Sequence, residues 1–357
     1  MSFPNLTTLI DRTINMKMKL LLLLSLFIFF FSGLIGTLHL SHSVPENSED
    51  ETLVNSLSDK RTSAIKHFWH TFEHGAYDQI NNSIVQLKAL YLENPNDSEI
   101  ALLIAHLHFW KAAERFRLKE NVCPNVTDHL IVAGKYFEEA QDLNPKDARI
   151  DGWLAGVDMS LAEIHDNAKD MRKAYFRGKK SIRKYPAFNH FSIAYLFSNR
   201  PYNDRFYKKA INSFFKSMDI ATHNTIDRDN FNYEAYLYLE KEETNKRLKR
   251  AVWNGPKAKH NLEGFFLIMG DFLVKAGRTE EALIAYNNAK LIPSFGDWPF
   301  KDILHRRISD IAVNVERFKI TSKKVNENPF YINSRDFSPD RSMIFNSYNC
   351  TVCHQAY

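Results

Sequence analysis

Between Ser63 and Asn328 apolar residues return every three or four positions, as in SEIALLIAHLHFWKAAERF (98–116) and DRFYKKAINSFFKSMDIA (204–221). That spacing lines one face of an α-helix, so the region 63–328 is predicted to be an all-α array. Turns between helices are marked by Gly75, Asn94-Pro95, Cys123-Pro124, Asn144-Pro145, Tyr185-Pro186, Arg200-Pro201, Gly277 and Pro293. Residues 231–250, FNYEAYLYLEKEETNKRLKR, read as one amphipathic helix, and another is expected from Trp298 to Asn326. Asn328-Pro329 then ends the regular structure, leaving a mostly irregular tail over 329–357.

The start of the chain follows a different pattern. A basic stretch (1–19, with Arg12, Lys17 and Lys19) precedes LLLLLSLFIFFFSGLIGTLHL, residues 20–40, which carries no formal charge. About 21 such residues can cross a bilayer, and the basic flank tends to stay cytoplasmic, so the rest of the chain is expected outside the cytoplasm. The segment reads either as an uncleaved anchor or as a removed signal; SHS at 41–43 offers small residues for cleavage. The polar, acidic residues 41–62 are expected to form a flexible tether.

Composition agrees with helices. Glycine and proline number only 12 each in 357 residues, too few for a loop-rich β protein. A net charge of +5 spread along the chain excludes a nucleic-acid-binding tail. Its densest basic stretch is KDMRKAYFRGKKSIRK, 169–184. This is a solvated helix face, or a dock for anionic lipid headgroups or an acidic protein partner.

The helix breaks also repeat. ALYLENPND (89–97) and AQDLNPKDA (140–148) share an asparagine-proline exit followed by an aspartate placed to cap the next helix. Ala133, Phe137 and Ala140 precede Pro145; Gly270, Gly277-Arg278-Thr279, Ala282, Tyr286 and Ala289 precede Pro293. In this combination the chain resembles a degenerate tetratricopeptide-repeat protein, which implies an α-solenoid of helix pairs. Exit prolines spaced 50, 41 and 107 residues apart depart from that family's 34-residue period. Such a domain holds or positions other molecules. No Ser-His-Asp order, glycine-rich phosphate loop or paired-carboxylate motif points to an enzyme.

The tail carries the sharpest chemical signal. It contains NCTVCHQ at 349–355, placing Cys350, Cys353 and His354 within five positions of a chain with three cysteines. Cys-x-x-Cys-His resembles the attachment sequence of c-type cytochromes. The resemblance implies one covalent haem c, with thioethers from Cys350 and Cys353 and iron held by His354. It also implies export, because such haem is attached outside the cytoplasm. The rivals are a disulfide or redox pair, a metal site, and chance; Cys123 in NVCPNV stands too far off to complete a four-ligand zinc site.

Only Gln355, Ala356 and Tyr357 follow His354, so a sixth iron ligand is expected upstream, from another protein, or not at all. Met343 and His305 are the named candidates, followed by His67, His70 and His74 and by His106 and His108. The sequons at Asn81, Asn125 and Asn349 are read as chance.

Two functions follow. One is a membrane-anchored, exported subunit of an envelope complex, in a bacterial periplasm, carrying haem for electron transfer to redox partners. The other is a tethered scaffold for protein–protein contacts whose Cys350 and Cys353 form a structural or redox pair.

Overall fold

The computed structural model describes residues 48–73, 76–113, 126–198, 200–241, 252–255, 258–327 and 343. The chain divides into two compact units, Met1–Asn55 and Ser56–Tyr357. Of the first unit residues 48–55 are described, and they are helical. The expected membrane segment 20–40 lies outside the described residues. Among the described residues no helix is long and apolar enough to cross a membrane.

The architecture is all-α. In chain order the α-helices are α1 Ser48–Glu73, α2 Ile80–Glu93, α3 Ser98–Ala113, α4 Val126–Leu143, α5 Ile150–Ile164 and α6 Ala168–Lys184. They continue with α7 Pro186–Leu196, α8 Arg205–Thr222, α9 Asn261–Lys275, α10 Thr279–Lys290, α11 Lys301–Ser309 and α12 Ile311–Glu327. Among the described residues the only β pairing is an isolated bridge between Gly255 and Ala258.

Helices pack chiefly on their neighbours in sequence: α3 on α4, α5 on α6, α7 on α8 and α9 on α10. α3 shows how the pairs join. It is apolar nearly all round because it serves two cores. Leu103, Ile104 and Leu107 join a cluster with Phe68 of α1 and Leu87 of α2. Ala101 and Ala105 face Ala133, Phe137 and Ala140 of α4 in a second cluster with α5. The third and largest cluster runs from α5 to α12 around α9, in which every residue from Leu262 to Lys275 is buried.

The punctuation read in the sequence does its local work. The Asp97 carboxylate accepts from the backbone N–H of Glu99 (3.0 Å) and Ile100 (3.2 Å), capping α3. Asp147 accepts from the N–H of Arg149 at 3.1 Å in the turn entering α5. Pro186 opens α7, where its missing N–H costs nothing. Gly277 adopts φ +79° after α9, and the Arg278 N–H reaches back to the Leu273 carbonyl at 2.9 Å. That left-handed exit favours glycine.

Three expectations need correction. Residues 48–62, expected within a tether, belong to α1. Acidic residues at its start suit a helix N-terminus, and Arg61 binds Asp97 and Glu99 at 2.6 Å each, tying this helix to the turn before α3. Residues 231–250 do not begin as an α-helix: Tyr233–Lys241 is a 3-10 helix. There the Asn288 side chain takes the Tyr233 N–H (2.9 Å) and gives to the Phe231 carbonyl (2.9 Å), claiming groups an α-helical turn would use. The last long helix is two, α11 and α12, broken at Asp310. The break lets Arg307 of α11 point inward while Phe318 of α12 packs on its guanidinium at 4.9 Å.

Candidate functional site

Cys350, Cys353 and His354 lie outside the described residues, as do His74 and Cys123. Their donor set fits a covalent haem: two thiols suit the two vinyl groups of the porphyrin edge, and one imidazole suits the iron. Of the tail, Met343 is described. It is 2% exposed and belongs to the large apolar cluster that also holds Leu304 and Phe318. His305 is exposed on α11, its ring 5.8 Å from Phe295. The two proposed sixth-ligand residues thus occupy different settings, one in the core and one at the surface.

The upstream histidines do not gather. His70 is exposed, and His67 on the same helix is half-buried. His106 packs its ring on Phe137 (5.3 Å) and Trp153 (4.9 Å). His108 points elsewhere, its Nδ1 lying 2.7 Å from Nδ1 of His129 on α4. The two imidazoles share one proton between these nitrogens, so one ring donates and the other accepts. Nε2 of His108 is buried with no hydrogen-bond partner among the described residues. Since an orphaned acceptor costs less than an orphaned N–H, His108 is best assigned as the Nδ1–H donor to His129.

Burial drives the His108 pKa down to about 3, and the nearby positive charges of Lys88 and Lys111 push the same way. Burial lowers His129 too, helped by Lys111 and opposed by Asp128. His129 was not singled out in the sequence. A signal existed: in an antiparallel helix pair, residues similarly distant from the facing helix ends meet, and His108 lies five residues before the end of α3 and His129 three after the start of α4. The same mirror relation pairs Asp158 with Arg177 (2.6 Å) and Asp151 with Lys184 across the α5–α6 turn.

The core around α9 contains charge as well. Asp271, fully buried, accepts from Tyr286 Oη at 2.6 Å and from Arg307 Nε at 3.1 Å. Lys275 donates to the Ser198 carbonyl at 2.7 Å, with its ammonium 4.7 Å from the Tyr207 ring. Burial brings the Lys275 pKa down to about 7 and raises both Tyr207 and Tyr286 well above the usual phenol range. Every one of these side chains is sealed from solvent, so the arrangement ties helices together and offers no surface to a substrate.

A serine, a glutamate and a histidine also meet, at the start of α9. Ser294 Oγ and His260 Nδ1 both contact Glu263 Oε1, at 2.6 and 3.1 Å. The hydroxyl is bonded to the carboxylate rather than the imidazole, which is not the order that activates a nucleophile. Among the described residues no group of three or more His, Cys, Asp or Glu side chains could hold a metal ion.

The surface feature foreseen in the sequence is present. On α6 the residues Arg172, Lys173, Phe176, Lys179, Lys180 and Arg183 all face outward, whereas Ala174, Gly178 and Ser181 are buried. Comparison with protein-family models, with curated proteins and with solved structures finds no match to this chain.

Proposed function

We propose that the chain is an exported, membrane-tethered helical-repeat protein of the tetratricopeptide type that carries one covalent haem. Cys350 and Cys353 would anchor the porphyrin edge and His354 would hold the iron. A haem bound there supplies one-electron redox chemistry, which fits a haem-bearing or electron-transfer subunit of an envelope complex in a bacterial periplasm. The observation that carries this reading is the Cys-x-x-Cys-His spacing in a chain that also has an uncharged, bilayer-length segment at 20–40. The motif needs such a segment, since haem of this kind is attached outside the cytoplasm.

Met343 adds support. It is buried among the helices seven positions before Cys350, so the motif starts within at most about 25 Å of the array. The array can therefore supply a wall for a cofactor that a short tail alone could not cover. Helix pairs that pack on their sequence neighbours, with Gly270 and the small residues of α4 and α10 at the crossings, support the repeat assignment.

A haem stain after denaturing electrophoresis tests the proposal, because only a covalent cofactor survives the gel. Protein from cells competent for cytochrome maturation should stain, and the C350S/C353S variant should not. The second reading is a tethered scaffold with a Cys350–Cys353 disulfide. It rests on the helix-pair packing alone, and an unstained band with an oxidised cysteine pair would be its signature.

A further inference from the structure

We propose that the outer face of α6 is a docking surface for an anionic lipid bilayer, with Phe176 entering the headgroup layer between flanking cations. The fully buried residues of α6 are small, Ala174, Gly178 and Ser181, flanked by the partly buried Met171, Tyr175 and Ile182: a Cβ on Gly178 would sit 2.7 Å from Ile193 Cδ1, and the Ser181 hydroxyl turns back to the Gly178 carbonyl at 2.7 Å. The backbone is thereby pressed against α5 and α7, and Arg172, Lys173, Lys179, Lys180 and Arg183 lie on the outside. Phe176 is 59% exposed there, with Arg172, Lys173, Lys179 and Lys180 three or four positions to either side.

A phenylalanine so placed keeps most of its surface in water, its ring meeting that of Tyr175 at 5.6 Å. Among the described residues Lys173 pairs with Asp170, Arg177 with Asp158 and Lys184 with Asp151, but Arg172, Lys179, Lys180 and Arg183 make no ion pair. The uncompensated charge extends onto α8. The Tyr175 ring of α6 meets Phe206 of α8 at 4.9 Å, and Arg205 and Lys209 lie 4.7 and 5.6 Å from the Phe206 ring.

An exposed ring bordered by long cationic side chains suits the headgroup–acyl boundary. The ring displaces water there while Lys and Arg reach lipid phosphates. The choice of lipid over an acidic protein rests on the reading of residues 20–40 as a membrane segment, which would keep the chain at a bilayer.

The test uses the full chain with Phe176→Trp, reconstituted into phosphatidylcholine vesicles with brominated acyl chains, with and without roughly one-third phosphatidylglycerol. The parent chain sets the baseline of its own tryptophans. Emission from the introduced indole should fall by roughly half with anionic lipid only. The loss should vanish at about 0.5 M salt and in a K179E/K180E background, both residues being exposed and outside any ion pair among the described residues; circular dichroism of that variant should match the parent chain. Absent quenching, quenching equal in neutral vesicles, or quenching that survives the charge reversal overturns the proposal; the first of these would favour an acidic protein. A carbonate wash of the same vesicles reports the anchor separately, and the quenching is read whether or not the chain resists the wash.

Discussion

His108 and His129 stand 2.7 Å apart at their Nδ1 atoms. His108 folds with a pKa near 3, against 6.5 for the exposed group, so between those values the unfolded chain binds more protons than the folded one. Stability therefore rises with pH across this window, is fully present above about 6.5, and is lost as acid is added. His129 and His190, both lowered by burial, act in the same direction. Replacing His108 with Phe keeps a ring beside Tyr136, which it now stacks against at 6.4 Å. Urea denaturation at about pH 7 and about pH 4.5 should show a smaller loss for H108F than for the parent chain. Equal losses would contradict this account. His106 and His108 were visible in the sequence as a pair, yet His106 packs on Phe137 and Trp153 while His108 meets His129 of the next helix. Pairing across a helix turn is a tertiary fact that spacing within one segment does not express.

Single helices owe their form partly to local grammar and partly to neighbours. Ala133, Phe137, Ala140, Ala282 and Ala289 are fully buried, the Asn-Pro exits sit at helix ends and Asp97 caps α3, whereas α5 starts from Arg149 and the Asp147 side chain bonds to Arg149 within the turn before it. Those features were legible because they are short-range. The 3-10 form of Tyr233–Lys241 and the break at Asp310 were not, since Asn288 imposes one and the burial of Arg307 the other. The α9–α10 crossing gives a sharp test. A Cβ on Gly270 would lie 2.1 Å from Tyr286 Cε1, and Tyr286 is held by Asp271. Gly270→Ala should cost about 1–3 kcal/mol in chemical denaturation, because the helices must move apart or the ring must leave its bond. An unchanged midpoint would mean the crossing is looser than described. The Asp271–Arg307 pair joins α9 to α11 with both groups almost wholly buried. Arg307→Met should cost about 3–5 kcal/mol by leaving a buried carboxylate without its cation. A loss below about 1 kcal/mol would show that the remaining partners of Asp271, Tyr286 among them, suffice.

For the molecule as a whole, the described residues form an all-α structure built from successive packed helices, with Met343 returning the tail to its largest core. The parts of the chain that carry the functional reading, residues 20–40 and Cys350 to His354, lie outside the described residues. They are legible in the sequence because each depends on local chemistry: an uninterrupted apolar run for a bilayer, and a fixed spacing of thiols and imidazole for a porphyrin. The repeat assignment depends instead on many weak matches over the whole array, so its spacing irregularities blur it. The central claim is that Cys350 and Cys353 each carry a bond to one haem. Intact-mass measurement under denaturing conditions, on protein made in cells competent for cytochrome maturation, tests it most directly. The account predicts the polypeptide mass plus that of one haem, and the bare polypeptide mass for C350S/C353S. A parent chain at the bare polypeptide mass would contradict it.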